Sequence, residues 1–508
     1  MENIILPNFS FYKVFSKIDF ANITILKYSL HFSEHRSQKL KEDKMEDIQK
    51  LETKGIKTLL GDPRKAIIKL AIPMIVAMTV QTFYNLVDAI WVSGLGTDAL
   101  AAVGFVFPFL FMGTAIAAGL GIGGGSAISR KIGAKDKKGA DNVAVHTIIV
   151  MFIVAIIYTI PLFLFAENIF RAIGAEQTTQ TAAIYARIMY SATLIIFFSF
   201  IANAILRSEG DAKRAMFAMV LGGILNTILD PIFIYIIGWG VPGAAWASVL
   251  SMSVSASLLF YWLFLKKDTY VSFHFRGFSF DKSIIKDILA VGLPASVMQL
   301  SMSIMMMIMN GIVVYVGGTD GIAVFSAGWR VATMASMPLL GMATAVVSVT
   351  GATYGAHDYN KLDVAHMYAL KIGIVIETTI AIVTFIFAPV ITAAFTQSAD
   401  TARLGNDITT FLRIVCIFYP ATAFGMLSSA MFQGIGKGLY SLIVTVLRTI
   451  ILTAPLAWLF AVAFGWGLTG AWWGLVTANI IGGGVTFTWS KLHVRKLIAG
   501  LEQSQTAG

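Results

Sequence analysis

The sequence predicts an all-α polytopic membrane protein with twelve transmembrane helices in two homologous six-helix lobes. Three observations carry that prediction. Of 508 residues, 57% are hydrophobic and only 13% charged, about half the charged share of a soluble domain. Apolar runs of about 20 residues, each long enough to cross a hydrocarbon core as a helix, recur along most of the chain. Short motifs also return in order at a nearly constant spacing. A membrane β-barrel is excluded, because its strands alternate over about 10 residues instead of running continuously apolar.

Residues 1–65 carry mixed charge and no apolar run long enough to span. Lys13, Lys17, Asp19 and Lys27 interrupt the aromatic stretch Phe9 to Leu30, which therefore lacks the h-region of a signal peptide. An amphipathic lead-in follows Met45, so Met45 is the expected start and residues 1–44 an upstream extension. The spans then fall near 66–93, 99–126, 142–166, 179–206, 214–237 and 243–265, and again near 286–314, 321–348, 364–393, 408–432, 440–464 and 469–490. This divides the chain into an N-terminal extension (1–65), an N-lobe (66–265), a linker (266–285), a C-lobe (286–490) and a tail (491–508).

Charge orients the spans. Arg130, Lys131, Lys135, Lys137 and Lys138 follow span 2, Arg207, Lys213 and Arg214 span 4, and Lys266, Lys267, Arg276 and Lys282 span 6. Lys361, Lys437 and Lys491 mark the same side after spans 8, 10 and 12, while the opposite loops carry little besides Asp98, Arg171, Asp320 and Arg403. The positive-inside rule puts both termini in the cytoplasm of a multi-pass cell-membrane protein, and an even span number agrees. The net charge of +10 is thus an orientation signal, with no nucleic-acid partner implied. The single cysteine, Cys416, lies inside a span as a small hydrophobe.

The halves repeat. Gly96-Thr97-Asp98 returns as Gly318-Thr319-Asp320, and Gly133-Ala134-Lys135-Asp136 as Gly355-Ala356-His357-Asp358, both at an offset of 222. Arg187-Ile188 returns as Arg413-Ile414 at 226, and Gly238-Trp239-Gly240 as Gly465-Trp466-Gly467 at 227. An offset of six helices keeps both halves in one orientation, so they are parallel repeats with substrate expected between them.

Ionisable groups inside spans are costly and mark function. Asp88 in span 1 and Asp230 in span 5 fall at one depth, which suggests a single proton or cation site. Asn226 lies one turn from Asp230 on the same face, Tyr185 and Ser248 reach a similar level, and Pro231 bends the helix beside the acid. Asp88, Asn226 and Asp230 would be the ligands if the ion is Na+; a pair of crowded carboxyls suits H+. The repeat replaces Asp88 by Asn310 and Asp230 by Ala454, so the titratable site is one-sided. Structural pairing with Arg187 is the bland alternative. In the other half Glu377 is expected to be neutralised by Arg330, Arg413 or Arg448, with a second relay as the alternative. Met78, Gln81, Tyr84 and Asn85 form a face of span 1 leading to Asp88, suited to amphipathic cations, and Met302, Met305, Met306, Met307 and Met309 would add adaptable surface from span 7.

With LAIP and LVDAIWVSGLG in span 1, the SRKIGAKD and ILRSEGDAK loops and NTILDPIFI, the chain resembles the MATE (multidrug and toxic compound extrusion) family over about residues 60–495. Acids in spans 1 and 5 with none inside span 7 resemble its DinF-type and archaeal branch. The resemblance implies a central cleft between the lobes and an antiporter, not an enzyme, that exports amphipathic drugs in exchange for H+ or Na+ with no other cofactor, as a monomer in the lipid bilayer. It further implies coupling at Asp88 and Asp230 supported by Tyr185, Asn226 and Ser248. Met78, Gln81 and Tyr84 match drug-contacting positions, Asn203 matches a polar position, and Pro73 matches the point where the first helix bends on protonation. Ser248, where the family has threonine, is a departure. The alternative reading is a flippase for lipids or lipid-linked oligosaccharides, which would need a cationic cavity for the headgroup. An intramembrane enzyme is disfavoured, since no HExxH, GxSxG or Walker pattern occurs in the right context.

Overall fold

Every apolar run folds as helix in the computed structural model, which describes residues 53–506 apart from 267, 275–277 and 398. Met45 and the rest of residues 1–52 lie outside the described residues. The first six spanning helices are α1 Pro63–Ser93, α2 Thr97–Gly133, α3 Lys137–Leu164, the bent α4 (Thr179–Ser191 and Thr193–Ser208), α5 Ala212–Ile236 and α6 Gly240–Leu265. The second six are α7 over 282–317, α8 over 319–355, α9 Tyr359–Ala393, α10 Gly405–Gly434, α11 Gly438–Ala463 and α12 Gly467–Thr506. Helix runs unbroken by hydrogen bonding from Lys282 to Ala335, but Gly318 (φ 59°, ψ −151°) turns the chain between α7 and α8. That left-handed φ, which glycine adopts without a Cβ clash, is matched at Gly96 (φ 99°) before α2.

Local chemistry sets the ends. Asp62 accepts the Arg64 N–H (2.9 Å) and Pro63 opens α1, a side-chain cap with proline at the first helical position. Three kinds of break leave no mark in hydropathy. α4 bends by 47° at Ala192, α8 is interrupted at Ser336, and π-turns follow the two in-span prolines of α5 and α11. Pro231 precedes the π-turn Ile232–Ile236, and Pro455 precedes Leu459–Ala463; a residue without an N–H forces the ladder to shift.

The repeat is visible atom by atom. Lys135 (φ 57°) and His357 (φ 56°) are the non-glycine residues with positive φ among the described residues. Each precedes an aspartate that caps the next helix: Asp136 accepts Gly139 N–H at 2.8 Å and Asp358 accepts Lys361 N–H at 3.0 Å. Gly133 of α2 lies against the Ala352 carbonyl of α8, while Gly355 of α8 lies against the Arg130 carbonyl of α2. The two contacts are images of one another across the boundary between lobes. That boundary is sealed at the end carrying the basic loops. Arg130 makes two 2.7 Å bonds to Asp287, and Ser126 Oγ donates to the carbonyl oxygens of Gln433 (2.5 Å) and Gly434 (3.0 Å).

The segment joining the lobes is pinned to the first of them. Glu209, one residue past α4, is buried and accepts the Val271 N–H at 3.0 Å, and Asp141 accepts the Ser272 N–H at 2.8 Å. Burial pushes the Glu209 carboxyl up to about 8, with Asp211 adding to the rise while the Val271 and Tyr270 amides and Arg214 oppose it. Since the unfolded chain has an ordinary glutamate near pH 4.3, the protonated carboxyl stabilises the pinned form fully below that value, and the contribution is lost as pH rises through about 8. Hydrogen exchange at Val271, corrected for the intrinsic pH dependence, is therefore expected to lose protection between about pH 7 and 9 in the native protein. It should stay flat in Glu209→Gln.

Candidate functional site: a carboxyl pair and an arginine-lined cavity

α1 and α5 pack side by side, and their faces bring the two acids together. The Asp88 and Asp230 carboxyls lie close enough to interact electrostatically. Two carboxylates are both acceptors, so a proton or a cation at such a pair would relieve their mutual repulsion. Asn226 donates through one amide nitrogen to Asp230 Oδ1 and to Ser248 Oγ, both at 3.2 Å. Asp230 is fully buried, and its Oδ2 and the Oδ1 of Asn226 are left without partners. Tyr185, also buried, and Tyr84 both lie close enough to feel both carboxyls. The result is a knot of oxygens with two orphaned acceptors, which fits a proton or a hard cation, the donor set used where carboxylates and broken helices hold coupling ions.

No lysine or arginine forms an ion pair with either acid among the described residues. Arg187 does not serve as their counter-charge. Of the other predicted positions, Met78 packs against the main core and Asn85 is exposed. Asn203 is buried on α4 and donates to the Ser199 carbonyl at 2.8 Å. Pro73 is buried within α1, which continues as one helix through it.

Two further residues build the site. Gly223 leaves room for the Tyr84 ring, 3.0 Å from where its Cβ would stand, and Tyr235 of the π-turn donates its hydroxyl to the Trp91 carbonyl at 2.6 Å. The first has a signal in the sequence: Gly223, Asn226 and Asp230 share one face of α5, where a small residue admits a ring. The second has none, because the π-turn that aims Tyr235 is invisible to pattern.

The expected neutralisation of Glu377 fails. Glu377 is completely buried on α9 and both carboxyl oxygens lack partners. Arg330 is exposed, Arg413 stacks over Phe385 at 5.5 Å, and Arg448 bonds to Asn479 at 3.1 Å. Membership of one lobe brings these residues together on paper, but the arginines are engaged elsewhere or exposed.

A cavity of about 470 Å³ opens beside this lobe, lined by Met298, Met302, Met305 and Met306 of α7, with Phe418, Gln433 and Arg448 from the second lobe and Arg207 from the first. Met302, Met305 and Met306 thus supply the surface expected of them. Met307 is instead 70% exposed and Met309 is buried in the core of the second lobe. Met78, Gln81, Tyr84, Asn85 and Asn203 do not line this cavity.

The MatE family model matches residues 73–232 and 294–459, one segment in each lobe. The chain is 24% identical over 420 residues to the multidrug export protein MepA of Staphylococcus aureus (strain MSSA476), covering 82% of this chain and 90% of that one. A MATE crystal structure in complex with MaL6 is 48% identical, with a TM-score of 0.86, covering 88% of this chain and all (100%) of that one. A MOP superfamily transporter from Pyrococcus furiosus Vc1 is likewise 48% identical, with a TM-score of 0.85 over 88% of this chain and 99% of that one; reverse polarity of its binding pocket suggests a different function for it.

Proposed function

The chain belongs to the MatE family, and from that membership we propose that it is a secondary active antiporter. It exports amphipathic small molecules, drugs among them, in exchange for H+ or Na+. The observation that supports this most is a pair of neighbouring acids, one of them buried with an unpartnered oxygen, that form no ion pair among the described residues. Two such groups change charge together, and a change of charge is what couples an ion to a conformation. In this reading the sealed end faces the cytoplasm of a cell-membrane protein with both termini inside, which the positive charge of the basic loops supports. An H+ or Na+ entering from outside binds at Asp88 and Asp230 and cancels one of their two negative charges, with Asn226, Tyr185 and Ser248 holding their oxygens. Relaxed electrostatics let α1 yield at Pro73 beside the Pro231 turn, and the compound leaves outward. The emptied acids then favour reopening toward the cytoplasm by rocking of lobes 66–265 and 286–490 about the linker 266–285. Met78, Gln81, Tyr84, Asn85 and Asn203 are the compound-facing positions of the first lobe in this reading.

Proteoliposomes with a pH gradient and a Na+ gradient imposed separately, and a panel of amphipathic dyes, test it. One gradient should drive dye movement and the other should not. Dye movement indifferent to both would remove the antiport reading. A flippase acting on lipid-like molecules is the second reading, and the arginines of the cavity favour it.

A further inference from the structure

We propose that the 470 Å³ cavity is a binding site for amphipathic anions, with a carboxylate or phosphate head on Arg448 and an apolar body along the methionine face of α7. The inference rests on the transporter reading for its purpose and names the compound class that the reading leaves open.

Arg448 is 7% exposed, yet it forms no ion pair with an acid among the described residues. Its hydrogen bond is to the neutral amide oxygen of Asn479 at 3.1 Å. A guanidinium has five donors in a planar fork suited to carboxylate or phosphate, and buried charge is ordinarily paired because leaving it alone is costly. The surroundings are shaped to this side chain. A Cβ on Gly425 of α10 would come within 3.2 Å of Arg448 Cδ and Nε, and one on Gly482 of α12 within 2.7 Å of its Cβ and Cγ. Two glycines on two helices thus cut the slot in which the arginine lies. It sits in the π-turn Leu447–Leu452, with its carbonyl accepting from Thr453 Oγ1 at 2.9 Å; π-turns often accompany functional positions.

The sign of the cavity follows from its lining. Its fully charged residues are Arg207 and Arg448, and it contains no aspartate or glutamate. A cationic ligand would meet two like charges there, whereas an anion would supply the counter-charge that the fold leaves out. For the rest of the ligand, Met298, Met302, Met305 and Met306 offer a mobile, polarisable wall. The volume is in the range of small-molecule sites, about 300–1,000 Å³. A soluble amphiphile and an anionic lipid headgroup share this chemistry.

The full chain in phosphatidylcholine nanodiscs provides the test, by equilibrium binding of radiolabelled dodecyl phosphate and dodecyltrimethylammonium. Dodecyl phosphate should bind at least about 10-fold more tightly than the cation, and Arg448→Gln should weaken it about 10-fold or more, as loss of a charged hydrogen-bond partner does. Asn479→Asp is the second variant. It gives Arg448 an internal carboxylate, so it should keep the fold while lowering anion affinity by a similar factor. Repeating the measurement in phosphatidylglycerol nanodiscs separates the sources. Displacement of dodecyl phosphate identifies the lipid headgroup as the natural occupant, and undiminished binding identifies a soluble amphiphile; both meet the proposal. Equal or tighter binding of the cation overturns it. So does an anion affinity unchanged in Asn479→Asp. Equilibrium binding is read with no ion gradient imposed, so failure of ion coupling and failure of this site give separate results.

Discussion

Asp88→Asn and Asp230→Asn should each reduce gradient-driven export to the level of vesicles without protein, while leaving the chain inserted and its melting temperature at or above that of the native protein. Asparagine keeps the size of aspartate and adds donors, so in Asp88→Asn the introduced amide can bond to the Asp230 oxygen that now lacks a partner. The local structure is therefore at least as well satisfied. What disappears is the charge change. The native pair can hold a proton or a cation in one state and repel itself in the other, but the variant has a single acid whose neighbour no longer titrates. The ion then has no differential effect on the two states, and a ligand that does not discriminate between states cannot shift them. The dye assay in proteoliposomes reads the loss, and thermal melting excludes unfolding as its cause. Full driven export by Asp88→Asn would end the coupling assignment.

Much of this was legible because bilayer chemistry writes itself into sequence. Twelve apolar runs must be helices, since only internal hydrogen bonding satisfies a backbone in hydrocarbon. An acid inside such a run must face its own kind of environment, which is why Asp88 and Asp230 could be paired by counting residues from the ends of α1 and α5. The pairing expected for Glu377 failed, because the presence of arginines in the same lobe says nothing about direction around a helix. Arg448 was visible as a charge, but its slot was not. Gly425 and Gly482 lie 23 and 34 residues away along the chain, and nothing local links them to it. The π-turns after Pro231 and Pro455 were equally silent, since a ladder that slips by one residue leaves the hydropathy unchanged. Through that slip Tyr235 reaches Trp91 and ties the C-terminal end of α1 to α5.

Gly355→Leu should turn the resting protein around. In the structure the lobes meet at the basic end with no room for a side chain at Gly355 of α8 or at Gly133 of α2, each of which abuts the other helix's backbone. Overpacking of this kind costs about 1–3 kcal/mol. The penalty falls only on the state in which this end is closed; once the lobes separate there, the leucine stands in open space. Alternating-access states differ by a few kcal/mol at most when both are visited in a cycle, so the substitution should shift their ratio by about 10- to 100-fold toward the state open at the basic end. A single cysteine replacing Ser348, which is buried and lines the cavity, placed on a Cys416→Ser background, reports the change. An impermeant maleimide added from the basic side should label it in Gly355→Leu and not in the parent. Gly133→Leu should behave alike, because the repeat makes the two contacts equivalent. Gly104→Leu, where a Cβ meets nothing within 4 Å, should leave labelling unchanged. Breaking Arg130–Asp287 should do less, since Asp287 is 46% exposed and half-exposed pairs contribute about 0–1 kcal/mol. If Gly355→Leu inserts and melts as the parent does yet remains unlabelled, the glycine pair is not the seal between the lobes and the steric account of closure fails.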